Sequence, residues 1–403
     1  MRFGVVLFDD VSRKIAKGRE RSSKEGWASI DGAPSRRITD ISELESNAKW
    51  LTNLGYEDFF GNLLGRNPNL YPSYFLRTDL KAIADDVGAN LENLAADKSA
   101  QALSTVFNRV MYLAMRVPGV QLESSSEKTL ADILSGRVKN KYRLPDELNE
   151  AMKHAYQTTT QCMQRFPKDW KSVTLRVPRY QHAIDILETA VPSEYRWVYL
   201  YHARMPADAT ARLDWCIANP LPVLANVIVK PQRGEFSTVI SYGSGVNVER
   251  TWVSQIELLW LSQFCDVEVV GAFVCEAGYE QQKELESFPD LGEFSHSAYS
   301  LGLLAESYWV SMANPRTTQL NQKLFPPRAI WYRSLDRFSM FLKAVNLHSA
   351  GFHIVGYGVG SIWLNYPIGA TDDLIEAAGE FDLDVPVSKF AELRTEKRLE
   401  ADE

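Results

Sequence analysis

The sequence has little cysteine and little histidine, and neither is spaced for a structural metal site. Its four cysteines, Cys162, Cys216, Cys265 and Cys275, lie far apart and never form C-x-x-C, and there are only six histidines. Structural zinc sites need such residues at close spacing, so the spacing excludes one. We therefore expect buried free thiols in a reducing, cytoplasmic setting.

Long apolar runs are also missing. No run reaches the ~18 residues that a membrane helix needs, so we expect no membrane partner. The start, MRFGVVLFDDVSRK, lacks a basic leader followed by an apolar stretch and a small-residue cleavage site, so we expect no secretory signal.

Four common catalytic or nucleotide-binding motifs are absent as well. There is no G-x-x-x-x-G-K-[ST] phosphate loop, no G-x-G-x-x-G dinucleotide turn, no H-E-x-x-H and no G-x-S-x-G elbow. Gly356, Gly358 and Gly360 resemble half of a phosphate loop, but no lysine and no helix follow at the required place. We interpret them as hairpin glycines, because glycine tolerates positive φ.

The composition is that of a folded protein, with 45% hydrophobic and 24% charged residues over 403 positions. This length favours two or three domains. The net charge of -7 comes from the end of the chain: from Thr371 onward there are eleven acidic and four basic residues, and the remainder is neutral. Overall charge therefore gives no support for nucleic-acid binding.

Hydrophobic patterning predicts an α+β, multidomain protein. Residues 1–170 read as a mainly helical domain with a small sheet, 171–370 as a mixed α/β domain, and 371–403 as an acidic tail. Asp40 and Glu43 resemble a capping box, which predicts a helix over 41–54. Further helices are predicted over 99–115, 254–264 and 295–312, and strands over 3–8, 223–229 and 266–274.

The stretch from Trp331 to Pro367 predicts a helix, a stop at Gly351 and a hairpin with strands at 352–357 and 361–366. Apolar residues at near-helical spacing form a stripe typical of a core-facing side, and charged residues fall mostly on other faces. The stripe comprises Leu335, Phe338, Met340, Phe341, Leu342 and Val345, and the charged residues are Arg333, Asp336, Arg337 and Lys343.

Three stretches resemble the palm and fingers of family B DNA polymerases, especially the compact viral and plasmid ones. TWVSQIELLWLSQFCDVEVVGAFVCE, from Thr251 to Glu276, is similar to the segment that precedes the fingers. The helix SAYSLGLLAESYW, from Ser297 to Trp309, is similar to the fingers helix, and the helix and hairpin around GYGVGS to the catalytic hairpin. The resemblance implies a palm-like region over 171–370 and an exonuclease-like domain over 1–170.

The sequence departs from that family where its chemistry resides. The family carries Y-x-D-T-D-S at the hairpin tip, where this chain has GYGVGS, so Gly358 and Gly360 replace the carboxylates. Two-metal phosphoryl transfer needs carboxylates to hold Mg²⁺. The resemblance thus predicts a polymerase-derived protein that lacks nucleotidyl transfer and acts in nucleic-acid binding or as a scaffold in a replication-type complex.

Basic residues gather before and within the predicted helix. Between Pro315 and Lys343 only one acid, Asp336, accompanies them, and interleaved aromatic residues could stack on bases. The nucleic-acid-binding candidates are Arg316, Lys323, Arg328, Arg333, Arg337 and Lys343.

Two alternatives stay open. Ten tryptophans and seventeen tyrosines offer material for protein interfaces, which favours an assembly component with a protein partner and no nucleic acid. Asp9 and Asp10 follow a predicted strand, where paired carboxylates can bind Mg²⁺, which would suit a metal-dependent nuclease.

Overall fold

A computed structural model describes most of the chain. The described residues are 1–9, 25–55, 67, 69–76, 80–87, 96–116, 122, 129–135, 144–162, 170–201, 204–231, 239, 252–280, 295–317, 323–386 and 389–390. The chain forms two compact units: unit 1 comprises Met1–Lys139 and Lys283–Ser311, and unit 2 comprises Asn140–Gln282 and Met312–Glu403.

The described part contains both strands and helices, and the predicted α+β, multidomain class is confirmed. The strands are β1 (Arg2–Phe8), β2 (Gly26–Ile30), β3 (Arg36–Ile38), β4 (Ala48–Thr52), β5 (Leu70–Tyr71), β6 (Thr160–Gln161), β7 (Lys171–Arg176), β8 (Val191–Pro192), β9 (Trp197–Leu200), β10 (Val223–Pro231), β11 (Trp252–Ser254), β12 (Cys265–Cys275), β13 (Tyr279–Glu280), β14 (Arg316–Thr317), β15 (Lys323–Leu324), β16 (His353–Gly358) and β17 (Ser361–Tyr366). The helices are α1 (Leu80–Asp86), α2 (Ala96–Arg116), α3 (Leu130–Ser135), α4 (Asp146–Ala155), α5 (Arg179–Leu187), α6 (Ala209–Ala218), α7 (Gln255–Phe264), α8 (Ser295–Met312), α9 (Pro327–Ser349) and α10 (Thr371–Glu380), with 3-10 turns at Ile41–Glu43 and Ser73–Leu76.

Unit 1 is built on a mixed five-stranded sheet in the order β3-β2-β1-β4-β5. The central strand β1 pairs antiparallel with β2 and parallel with β4, and β4 pairs parallel with β5. The long helix α2 packs on β1 and β2, where the rings of Phe3 and Phe107 meet edge to face at 6.0 Å. A second apolar cluster around Val6, Phe8 and Trp50 completes this core.

The predicted helix over 41–54 is wrong. The capping box is present, since Asp40 accepts from the backbone N–H of Ser42 and Glu43 reaches back to the N–H of Asp40. It starts only a 3-10 turn, and the chain then enters β4, whose five residues pair with β1. Pairing with β1 satisfies the backbone groups and buries all of β4, which outweighs the local helical signal.

The described part of unit 2 contains two four-stranded sheets, in the orders β11-β10-β12-β9 and β6-β16-β17-β7, and two short strand pairs. One apolar cluster joins the inward sides of both sheets to α9 and α10. The hairpin predicted at 352–366 is confirmed, since β16 and β17 pair antiparallel from His353↔Asn365 to Gly358↔Ser361. The first change of unit, between Lys139 and Asn140, precedes the predicted boundary at residue 170. The domain assignments themselves stay a prediction.

The four cysteines are free and buried, as predicted. Burial raises the pKa of the thiols of Cys162 and Cys216 to about 12. Because the thiolate is the reactive form, these side chains are inert at neutral pH.

Candidate nucleic-acid interface

Two of the six basic candidates are buried ion-pair or hydrogen-bond partners within unit 2. Arg328 is 6% exposed and its Nη1 lies 2.6 Å from Oε1 of Glu194. Arg333 is 3% exposed and donates to the carbonyl of Ala313 at 3.2 Å and to Oδ1 of Asn314 at 2.8 Å. These guanidinium groups stabilise the fold, and a phosphate would have to displace their present partners.

A third candidate, Arg337, belongs to a buried network between α9 and α7. Its Nη2 lies 2.5 Å from Oε1 of Glu257, and both side chains are 1% exposed. Oε2 of Glu257 accepts from the hydroxyl of Ser334 at 3.3 Å, and Nη1 of Arg337 donates to the carbonyl of Gln157. Each charged group therefore has its own partners, which is the condition under which a buried ion pair is tolerated.

The other three candidates differ in surroundings. Lys323 in β15 is exposed, and Lys343 is half-buried with its Nζ donating to the carbonyl of Phe381. Arg316 lies in β14, and its side chain is outside the described part of the structure. Nucleic-acid binding by the six residues stays a prediction. Among the five whose side chains the structure describes, Lys323 is the exposed one.

The hairpin tip is held by a buried carboxylate from α9. Asp336 is fully buried and accepts from the backbone N–H of Val359 and from that of Gly360 at 2.8 Å. His182 Nε2 lies 2.9 Å from Oδ1 of Asp336. Gly360 has φ +64°, and a Cβ there would meet the His182 ring at 2.7 Å, so glycine is required for this approach. The Asp336 side chain thus orders the hairpin tip by binding the backbone N–H groups of Val359 and Gly360. Gly358 and Gly360 themselves supply no carboxylate at the tip.

The proposed metal ligands are described only in part. Asp9 follows β1, and its Oδ1 accepts from Nη1 of Arg37 at 2.8 Å, with Nη2 on the other oxygen. Nη2 of Arg37 also lies 3.2 Å from Oε2 of Glu25. Asp10 lies outside the described residues. Mg²⁺ at Asp9 and Asp10 stays a prediction, and an ion there would have to compete with Arg37.

Sequence reasoning missed an aromatic surface on the sheet β11-β10-β12-β9. We call Tyr199, Tyr201, Trp252 and Phe273 the aromatic face. Ring centroids are 4.7 Å apart for Tyr199 and Tyr201, 4.9 Å for Tyr199 and Phe273, and 5.4 Å for Trp252 and Phe273. A Cβ at Gly271 would lie 2.4 Å from the Tyr199 hydroxyl, so this glycine makes room for the ring. The four rings form one continuous cluster.

The opposite side of this sheet is core, which fixes the strands beneath the aromatic face. Alternate residues of β10 point into the apolar cluster, namely Val223, Ala225 and Val227. Two residues of β12, Val269 and Val274, belong to the same cluster. On the aromatic face, Tyr201 is 69% exposed and Tyr199 and Trp252 are half-buried, whereas Phe273 is buried at 7% exposure. Three of the four rings are therefore accessible, and Phe273 supports them from within the sheet. Burial, and then the neighbouring Tyr201, raise the pKa of Tyr199, so its hydroxyl is neutral at pH 7.

Two exposed cations lie in or next to the sheet that carries the aromatic face. The backbone N–H of Arg204 donates to the carbonyl of Tyr201 at 2.9 Å, which places Arg204 in the turn after β9. Lys230 alternates with the core residues of β10 and is paired in register with Asp266 of β12.

Neither a membrane span nor a metal cluster is found among the described residues. None of the described helices has the length and hydropathy required to cross a bilayer. The same residues include no group of three or more histidine, cysteine, aspartate or glutamate side chains placed to hold a metal ion.

No protein-family model matches the chain, and no curated protein matches it. Among solved structures it is similar to phi29 DNA polymerase, a family B polymerase, with primer-template DNA and incoming nucleotides. That match has a TM-score of 0.49 at 12% identity and covers 92% of this chain and 82% of the other. The orthorhombic crystal form of the polymerase has a TM-score of 0.48 at 11% identity, and the match covers 85% of this chain and 77% of the other. The complex of the polymerase with single-stranded DNA has a TM-score of 0.47 at 12% identity, and the match covers 85% and 76% of the two chains. Likeness at this level shows neither membership of the family nor activity.

Proposed function

We propose that this chain binds single-stranded nucleic acid through the aromatic face and performs no nucleotidyl transfer. The observation that carries the proposal is a cluster of three accessible aromatic rings, Tyr199, Tyr201 and Trp252, which pack with the buried Phe273 on the side of a sheet whose other side is core. Proteins that bind single strands stack bases on aromatic side chains displayed in this way. Tyr201 offers the most accessible ring for the first base.

Stacking, rather than phosphate contact, supplies most of the affinity in this proposal. Each stacked base contributes about 1–3 kcal/mol. With Arg204 and Lys230 as the phosphate contacts, the logarithm of the affinity should fall with a slope of about 1.4 against the logarithm of the salt concentration, since each contact on a single strand adds about 0.7. Binding by all six basic candidates would instead give a slope of about 4.

The absence of nucleotidyl transfer is supported by the hairpin tip. Gly358 and Gly360 stand where metal-binding carboxylates would be needed, and Asp336 beneath them already accepts two backbone N–H groups. The residues of the tip, Gly358 to Gly360, therefore supply no carboxylate to hold Mg²⁺ against a triphosphate, which supports the proposal.

Replacing Tyr201 by alanine will weaken binding of a labelled single strand by about 5- to 150-fold, which corresponds to one lost stacking contact. Fluorescence anisotropy at two salt concentrations measures this, and Trp252→Ala should act in the same direction. Tyr112→Ala is the matched control, because Tyr112 is 55% exposed in α2 of unit 1. Absence of binding at low salt, or equal losses in Tyr201→Ala and Tyr112→Ala, would refute the proposal.

A second candidate function is that of an assembly component that binds protein. It is favoured by exposed apolar residues on α7 and α9, where Leu259 and Leu342 are each 46% exposed. Contiguous apolar patches, rather than single exposed leucines, mark protein interfaces, so this function requires Leu259 and Leu342 to belong to one patch. This function does not depend on the aromatic face.

A further inference from the structure

The outward side of the sheet β6-β16-β17-β7 holds a cavity of about 420 Å³, lined by residues of unit 2. Leu364 of β17 lies in the core, so its neighbours Trp363 and Asn365 face the other way. Both of these neighbours line the cavity, and the segment after α10 contributes Pro386 and Lys389. Small-molecule sites typically have volumes of about 300–1,000 Å³, so the cavity is large enough for one.

A buried amide lines this cavity. Asn365 is 2% exposed, and its Oδ1 accepts from the hydroxyl of Ser172 at 2.6 Å, across the pairing of β17 with β7. Nδ2 of an asparagine carries two N–H donors, and no described residue accepts from Nδ2 of Asn365. Buried polar groups are normally paired, so these donors suit an acceptor atom of a molecule in the cavity.

The cavity also contains a hydroxyl group and a cation. Thr174 of β7 is half-buried and pairs in register with Trp363, which places both side chains on the same side of the sheet. Nζ of Lys389 lies 5.4 Å from the centroid of the Tyr366 ring, a cation–π contact that helps to hold the ammonium group in place. Lys389 is the one ionisable side chain among the nine described residues that line the cavity. Its charge favours an anionic ligand.

Trp363 supplies a flat apolar surface beside these polar groups. The residue is half-buried and pairs with Gly356 of β16, where a Cβ would lie 3.4 Å from Cε3 of the indole ring. Glycine at this position thus lets the ring lie close to the neighbouring strand. Val355 and Pro386 line the same cavity. An aromatic ring with apolar neighbours is a surface on which another planar ring packs well.

We propose that this cavity binds a small aromatic acid, a planar ring that carries a carboxylate or phosphate group. The ring packs against Trp363, the anionic group lies near Lys389, and Nδ2 of Asn365 donates to an acceptor atom of the ligand. The proposal goes beyond nucleic-acid binding and is independent of it, because no residue of the aromatic face lines the cavity.

Isothermal titration calorimetry on the full chain tests the site with two acids and their uncharged counterparts. Indole-3-acetate is compared with indole-3-acetamide, and adenosine 5′-monophosphate with adenosine. We expect at least one acid to bind about 5-fold more tightly than its counterpart, the effect of one partly exposed ion pair. The pair that shows this preference identifies the anionic group as carboxylate or phosphate. No binding of either acid at about 5 mM, or equal affinities within both pairs, would overturn the proposal.

Two lysine variants locate the binding. Lys389→Met removes the charge and keeps a long side chain, so it should abolish the preference for the acid and leave the affinity for the uncharged counterpart unchanged. Lys323→Met is the matched control, because Lys323 is an exposed lysine outside the cavity, and this variant should bind as the wild type does. Circular dichroism verifies that both variants are folded. A preference that survives Lys389→Met, or that falls equally in Lys323→Met, would show that the acid binds elsewhere and would refute the proposal.

Discussion

Arg337→Met will lower the free energy of unfolding by about 3–5 kcal/mol, the range expected when one partner of a buried ion pair is removed. The substitution leaves Glu257 at 1% exposure with a charge whose strongest partner is gone. It also leaves the carbonyl of Gln157 without its guanidinium donor. Urea unfolding followed by circular dichroism gives the free energy directly.

A double variant separates this uncompensated charge from a simple loss of packing. Arg337→Met with Glu257→Leu removes both charges and should recover most of the stability, because an apolar pair can replace a buried ion pair at little cost. Lys153→Met is the surface control: Lys153 and Glu150 form an exposed pair at 3.0 Å, and its loss should change stability by less than about 1 kcal/mol. A loss below about 1 kcal/mol for Arg337→Met alone would show that the network contributes little.

Asp336→Asn will destabilise the hairpin tip by about 2–4 kcal/mol. The carboxylate accepts from two backbone N–H groups, and hydrogen bonds to a charged group contribute about 1.5–3 kcal/mol each. An asparagine can accept at only one of its two positions and presents N–H donors at the other. Hydrogen exchange of the peptide containing Val359 and Gly360 should therefore become faster, together with a lower unfolding midpoint.

Val359 provides the control for this prediction. It holds φ +54°, a conformation that is unfavourable for a β-branched side chain and that the carboxylate of Asp336 helps to maintain. Val359→Gly should keep the hydrogen bonds, relieve the strain and leave stability equal or higher by about 1 kcal/mol. Unchanged exchange at the tip in Asp336→Asn would mean that the hairpin strands alone hold the turn.

The sequence predicted correctly those helices, strands and turns whose signals lie within a few neighbouring residues. The hairpin at β16 and β17, helix α2 and strand β12 all follow from periodicity and turn residues in the sequence. The region 41–54 could not be predicted in this way. Its capping box is a local signal, but its fate depends on pairing between Ala48 and Arg2, and no local window contains both strands.

The orientation of α9 was beyond sequence reasoning for a related reason. Periodicity predicts the helix, but a charged side chain can be buried only where a residue distant in the sequence pairs with it. Glu257 is eighty positions from Arg337, and His182 is farther still from Asp336. Charge alone predicts that the basic candidates lie at the surface, but Arg328, Arg333 and Arg337 are buried.

The aromatic face combines residues from three strands that are distant in the sequence. Tyr199 and Tyr201 alternate along and beyond β9, which is a signal for one face of a strand, but Trp252 and Phe273 join them only through the register of β11, β10 and β12. The alternation of Tyr199 and Tyr201 can be read from the sequence, whereas their contact with Trp252 and Phe273 cannot. The basic residues within 316–343 are adjacent in the sequence and therefore give a stronger local signal.

The interrupted sequence of unit 1 has a consequence for synthesis on the ribosome. Tyr299 of α8 donates its hydroxyl to Asp86 at 2.7 Å, yet residues 140–282 of unit 2 are translated between them. At about 5–20 residues per second this interval lasts about 7–30 s. During that time the nascent first unit lacks helix α8 and the contact that Tyr299 makes with Asp86. A slow codon run within 140–282 would lengthen that interval without altering any residue.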